Sequence, residues 1–452
     1  MDHQEFIETL RRAYSCFNSG DMDGYTQEMS SARTALSHSP LLCPERGEYT
    51  LISSMPCMMD CGALKEKYLQ AAEMFDGAHS EVVTCSAPLF LGADSVLSLF
   101  WRAGTSSDGL PAKISELAAL SGVLTGSRYG CDSMCAAELA YYRGDLATAE
   151  VQAYKALYLA RNTEQLVLAM CASKLLAHIA QHRIDTESWK FALRTIDFFA
   201  ADDGPNRALR KSYSQLINCE LSLELGDCSK LPQWLTDGDF GAEYGRSFYS
   251  FTFRLKDDRM SAIHFATYLW LHCLYLLKTA QYARILALDE VLRLYGLYSL
   301  DFVRMYFLFA RGLALYRLEE KDEAQTVLRE AVTMAAGDRL WLIPSEFSSL
   351  CGNLIDEAAE SIDARGAAQI RRLAQGFADS EKLLREAVLH SELPENLTDR
   401  ELEVARLAAK SLSNAEISQA LSISQNTVKK HLKSIFAKFS VDKRGKLREF
   451  LN

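Results

Sequence analysis

Apolar side chains fall at helical spacing from Gln425 to Phe439, where Val428, Leu432, Ile435, Phe436 and Phe439 stand at i, i+4, i+7, i+8 and i+11. That spacing makes one apolar face. The opposite face carries Asn426, Lys429, Lys430 and Lys433, and the one-turn interval from Lys429 to Lys433 points two ammonium groups the same way. Upstream, Thr398 precedes Glu401 by three residues and Ser413 precedes Glu416 by three, the pattern that reciprocally satisfies the free amides of a helix start. The first of these helices should bury Leu402, Ala405 and Leu407. The second, Asn414 to Leu421, is short, and only Ser422 and Ile423 separate it from the next cap, Ser424. The pattern predicts a short helix, a tight turn and a longer helix.

A different helical rhythm occupies the longer part of the chain. Ala137 to Ala160 places Gly144 and Asp145 at a turn and puts Ala149, Ala153 and Ala156 on the helix that follows, so that paired helices can approach closely. Tyr306 to Val332 repeats the idea with Gly312 in its first helix and Ala324, Leu328 and Ala331 in its second. Fainter copies occur at Ser19-Gly20-Asp21, Leu225-Gly226-Asp227 and Thr279-Ala280-Gln281. These segments resemble tetratricopeptide repeats, whose period is about 34 residues. The resemblance implies an α-solenoid in which each helix pair buries its faces on the next and a concave surface is left for a ligand or partner. The reading is therefore all-α: a tetratricopeptide-like solenoid over residues 1–365, a helical linker and hinge over 366–396, and a helix-turn-helix domain over 397–452. The helix of the linker should end before Leu393-Pro394, since the residue ahead of a proline is disfavoured in a helix.

Composition supports a largely helical chain: proline is scarce (9) and glycine modest (24) among 452 residues. Charge divides it. The whole carries a formal −10, but residues 397–452 hold 11 Lys+Arg against 6 Asp+Glu, a net of +5, and the remainder a net of −15. That asymmetry suits a basic nucleic-acid reader attached to an acidic sensor. At the start of the Gln425 helix, Ser424, Gln425 and Thr427 offer donors where the helix dipole already favours a phosphate.

The twelve cysteines all lie within the first 351 residues, and the N-terminus lacks an apolar signal core; both features point to a reducing cytoplasm. The C-x3-C pairs Cys57/Cys61 and Cys131/Cys135 read as buried thiols rather than metal ligands. His178, His182, His264 and His272 read as ordinary helix residues, and Trp101, Tyr141, Tyr142, Trp270, Tyr275 and Trp341 as packing. The longest apolar stretch, Phe265 to Leu277, is too short to span a bilayer. No phosphate loop, metal cluster or nucleophile-base arrangement speaks for an enzyme, and no cofactor or metal is expected. The ligand-binding residues of the long region are not legible.

The last fifty-six residues, with LTDRELEV, LSNAEISQAL, ISQNTVKKHLKSIFAKF and the Val441–Arg444 turn in order, resemble the LuxR/FixJ-type, or GerE-type, DNA-binding domain of bacterial transcription regulators. The resemblance implies base-edge contacts from Lys429, Lys430 and Lys433, phosphate contacts from Thr398, Asn414, Ser424, Thr427 and His431, and a homodimer on DNA formed through a last helix at Lys443–Leu451. Ser411 and Ser440 stand where that family has glycine, at helix ends where a side chain in left-handed backbone costs roughly 1 kcal/mol. Pro88–Gly104 followed by the Ala137 segment resembles the sensor of MalT-like regulators over residues 85–340. Those carry an ATP-binding switch, which the lack of a G-x4-G-K-[ST] loop removes from the expectation here. The expected protein is a cytoplasmic, sequence-specific transcription regulator that binds double-stranded operator DNA, senses a small molecule or protein on its helical repeats, and recruits or blocks RNA polymerase. The alternative is a helical-repeat adaptor for another protein, with DNA binding subordinate.

Overall fold

The computed structural model describes residues 2–18, 21–57, 60–83, 95–126, 130–162, 165–201, 207–228, 231–239, 259–294, 300–390, 397–409, 412–421, 423–439, 441 and 443–447. Among these residues the regular structure is entirely helical, with no strand. The first helices are α1 (His3–Asn18), α2 (Met22–Ala35), α3 (Pro44–Ser53), α4 (Cys61–Phe75), α5 (Val96–Phe100), α6 (Leu110–Thr125), α7 (Cys131–Tyr142) and α8 (Leu146–Asn162). They are followed by α9 (Leu166–Arg183), α10 (Thr186–Ala201), α11 (Arg207–Glu224), α12 (Gln233–Asp237), α13 (Arg259–Lys278), α14 (Tyr282–Leu294), α15 (Asp301–Arg317) and α16 (Lys321–Gly337). The chain continues through α17 (Leu342–Ser348), α18 (Leu354–Ile362), α19 (Ala364–His390), α20 (Asp399–Ala409), α21 (Asn414–Ala420) and α22 (Gln425–Lys438).

One turn joins successive helices again and again. At Gly144 the backbone is left-handed (φ 81°) and the Asp145 amide reaches back to the carbonyl of Ala140 at 2.8 Å, the bond that closes a helix around a left-handed residue. The same bond recurs with Ile184, Gly226, Ala280, Glu319 and Arg339 as the left-handed residue. The next residue often starts the following helix: Asp145 accepts from the Thr148 amide at 3.1 Å and Asp185 from the Ser188 amide at 3.0 Å, each a carboxylate N-cap. Sequential helices consequently fold back on one another, α7 on α8, α8 on α9, α9 on α10 and α15 on α16. At Gly312 the close approach anticipated for α15 and α16 is present, since an added Cβ would lie 2.4 Å from a Leu328 methyl.

The array then closes upon itself. The Trp101 indole donates to Asp338 at 2.6 Å, the Ser107 amide and hydroxyl donate to the same carboxylate at 2.8 Å each, and Arg143 donates to the Asp338 carbonyl at 3.1 Å. The segment from Gly366, expected as a linker, is through His390 part of this closure. Ala367, Ile370 and Leu384 are buried, and Leu373, Phe377 and Val388 pack beside them, a stripe at helical spacing that lays α19 against α9, α10, α17 and α18. Gln369 donates to the Arg143 carbonyl at 2.7 Å, and the Leu373 side chain sits where a Cβ on Gly144 would be, 2.9 Å away. Phe377 and Glu381 of α19 line a cavity of about 430 Å³ together with residues of α7, α9, α11, α13 and α15. The hinge residues 391–396 lie outside the described residues.

Cys131 and Cys135 are buried and Cys57 and Cys61 half-buried, all as free thiols; burial pushes Cys61 up to about 11. No helix among the described residues is long and apolar enough to cross a membrane. A second, separate core is built from Val404, Ala405, Ala408, Ile417, Val428, Leu432, Ile435, Phe439 and Leu447.

Candidate DNA interface

Both capping boxes form. The Thr398 amide donates to a Glu401 oxygen at 2.9 Å while the Glu401 amide donates to the Thr398 hydroxyl at 3.3 Å, and Ser413 and Glu416 make the same pair of bonds at 2.6 and 3.3 Å. They fix the starts of α20 and α21. Ser424 caps α22, its hydroxyl accepting from the Thr427 amide at 3.0 Å and lying 2.8 Å from the Thr427 hydroxyl. The Leu412 amide bonds the Leu407 carbonyl at 3.2 Å and the Val441 amide the Phe436 carbonyl at 2.9 Å. These are the six-to-one bonds expected around a left-handed helix end; Ser411 and Ser440 themselves lie outside the described residues.

The apolar face of α22 is as the spacing requires. Val428, Leu432, Ile435 and Phe439 are buried and Phe436 packs at their edge. In α20, Ala405 is buried with Val404, and Leu407 is half-buried; the side chain of Leu402 lies outside the described residues. The other face of α22 is open: Gln425, Asn426, Lys429, Lys430 and Lys433 are exposed. Lys429, Lys430 and Lys433 make no ion pair with a described residue, so three free ammonium groups project from one surface of a capped helix. His431 is half-buried on the flank.

The proposed phosphate-side residues are more occupied. The Thr398 hydroxyl donates to Glu401 at 2.9 Å, and the Asn414 side-chain oxygen accepts from Arg444, which also holds the Leu412 carbonyl at 2.6 Å. Asn414 therefore couples the start of α21 to the 3-10 turn Arg444–Leu447. That turn is the described portion of the helix expected over Lys443–Leu451; residues 448–452 lie outside the described residues.

Glu401 matters more than its capping motif suggests. Buried at the junction of α20 and α22, it accepts from Lys438 at 2.7 Å, from the Ser434 hydroxyl at 2.6 Å, and from both donors of Thr398. The Lys438 ammonium, with these hydrogen bonds, holds the carboxyl down at about 2. Sequence alone marks Glu401 as a cap; that Ser434 and Lys438, one turn apart, both reach it needs the crossing of two helices.

Residues 395–450 match the family model of bacterial regulatory proteins of the luxR family. The chain is also similar to a nitrate/nitrite response regulator protein homolog of Haemophilus influenzae, 42% identical over 80 residues, 17% of this chain. That match covers 38% of the relative's length. The C-terminal residues thus carry a luxR-family helix-turn-helix domain.

Proposed function

We propose that this protein is a ligand- or partner-responsive transcription regulator that inserts α22 into the major groove of an operator. Base edges are read by Lys429, Lys430 and Lys433, and the backbone is held around the helix starts by Thr398, Asn414, Ser424, Thr427 and His431. The observation that carries this reading is the set of three exposed lysines, unpaired among the described residues, on the outward face of a helix whose opposite face is locked into the core. Positive charge there draws the duplex, and a lysine reaching a guanine edge discriminates among bases. Two copies on half-sites about one helical turn apart is the geometry such a reader requires.

Selection of bound fragments from random duplexes by the full-length protein should return one motif. Lys429→Ala or Lys433→Ala should then lose about 1–3 kcal/mol on that motif and much less on random duplex, whereas Thr427→Ala weakens both evenly. Equal losses on both duplexes for all three variants would remove the base-reading assignment. Binding should also weaken steeply with added salt as phosphate counterions cease to be released. The helical array supplies the sensing role, and α19, part of its wall, is the helix from which the chain continues to the DNA-binding residues.

A further inference from the structure

The cavity inside the array has two unlike walls. One is aromatic: Tyr142, Trp270, Phe302 and Tyr306 meet edge to face, with centroids 4.9 to 6.4 Å apart. The other is acidic. Glu220 and Glu224 stand one turn apart on α11, with Glu138 from α7 and Glu346 from α17 lining the same space. Its volume, about 430 Å³, is that of a site for a small organic molecule.

Three basic side chains, Lys174, Lys278 and Arg317, line the cavity along with these carboxyls. Lys174 pairs with Glu220 at 3.0 Å and Lys278 with Glu381 at 2.9 Å, while Glu138 is answered by the Ser95 hydroxyl and the Leu97 amide at 2.9 and 3.1 Å. Glu346 has no ion pair with a described residue. Glu224 faces His178, whose Nε2 lies 3.4 Å away and makes no hydrogen bond, although the ring is buried. Burial drives His178 down to about 3, so it is neutral and supplies no countercharge, while burial pushes Glu346 up to about 8 and Glu224 well above its ordinary value. A neutral imidazole offers one acceptor nitrogen and a carboxylate several. A carboxyl kept protonated by burial ionises when a cation is set beside it, so this cluster of carboxyls and a neutral imidazole, in a cavity also lined by aromatic rings, complements an ammonium group on a carbon skeleton.

We propose that the cavity binds a small organic cation, a primary amine or diamine, with its ammonium between Glu224, His178 and Glu346 and its skeleton against Trp270 and Tyr306. This names the ligand class for the sensing role proposed above and rests on that reading. His178, Glu220 and Glu224 place one ligand atom each within 4.8 Å of one another, which is also a spacing for a metal ion. The Lys174 ammonium, 3.0 Å from Glu220, opposes a dication there, and a bare ion leaves the aromatic wall without a task.

The test uses full-length protein, with tryptophan emission and calorimetry as readouts. Putrescine and 2-phenylethylamine are the probes, 2-phenylethanol the neutral control, and zinc chloride with and without chelator the rival. At least one amine should bind, the alcohol should bind tenfold or more weakly, and Glu224→Gln and Glu346→Gln should each weaken the amine at least tenfold. Each variant replaces a carboxyl that burial keeps protonated with a neutral amide of the same shape, so the thermal midpoints should equal or exceed that of the parent. Binding of neither amine, equal binding of amine and alcohol, or a response confined to chelator-reversible zinc would each overturn the proposal. DNA affinity measured in parallel separates the two readings. Amine binding that leaves DNA affinity unchanged refutes sensing but keeps the site; a DNA response to a non-cationic ligand, without amine binding, refutes the site but keeps sensing.

Discussion

Glutamates are buried in both halves of this protein, with opposite consequences. In the DNA-binding domain Glu401 is saturated with donors, from Lys438, Ser434 and Thr398, and is held at about 2. In the array, burial raises Glu346, which has no ion pair with a described residue, to about 8. A buried carboxylate whose lone pairs are all answered stiffens its surroundings; one left short of donors is held only because the rest of the fold over-determines its place. The first kind is a fastening between two helices, and the second marks a position kept for something other than stability.

The two kinds predict opposite responses to pH. Glu401 stabilises its domain above its unfolded value of about 4.5, and that contribution is lost as pH falls toward 2. Glu138 and Glu346 favour the folded array when protonated; their contribution is complete below about 4.5 and is lost as pH rises through 7 and 8.

The separation of the two cores can be broken from either side. All five tryptophans lie between Trp101 and Trp341, so tryptophan emission reports the array alone. The largest effect is expected from Gly312→Val, whose side chain must displace Leu328. Overpacking there should destabilise the array by about 3 kcal/mol, lowering its emission midpoint while leaving DNA-domain amide exchange unchanged. Glu401→Ala should cost the DNA-binding domain about 2 kcal/mol, read by amide exchange, since it strips a buried network of its acceptor. A shift of the tryptophan transition in that variant would mean the two cores unfold together. Next in size, an acid titration from pH 5 to 2 should flatten the protection of α20 and α22 in the parent but not in Glu401→Gln, and an alkaline titration from pH 6 to 9 should lower the emission midpoint less in Glu346→Gln than in the parent. The smallest effect is a gain: Glu319 is exposed and left-handed (φ 66°), so Glu319→Gly should stabilise the array by about 0.5–1 kcal/mol and raise its midpoint by a degree or two.

The same contrast explains what could be read from residues alone. The DNA-binding region was legible because its signals are local: caps three residues apart, an apolar face within one helix, three lysines on the other. The helical array was legible at Gly144, at Gly226 and across Tyr306–Val332 but not at Ile184 or Arg339, where residues that resist left-handed backbone occupy the same turn. Glycine flags only some of these positions because the surrounding helix pairs impose the turn. The cavity was hidden for another reason. Tyr142 meets Tyr306 and Lys278 meets Glu381 across long stretches of chain, so side chains that read singly as packing become walls only when α19 closes the array. In the sequence His178 reads as an ordinary helix residue; a buried nitrogen without a hydrogen bond, facing Glu224, exists only in the assembled interior.

The length of α19 has a mechanical consequence. Its 27 residues make a rod of about 40 Å, gripped at one end where Gln369 and Leu373 meet the Arg143–Gly144 turn and bearing on the cavity through Phe377 and Glu381. Tilting such a rod by about 5° about one end carries the other end through roughly 3 Å, close to the rise of one base-pair step, about 3.4 Å. A small displacement beside the cavity is thus magnified toward the far end of the helix.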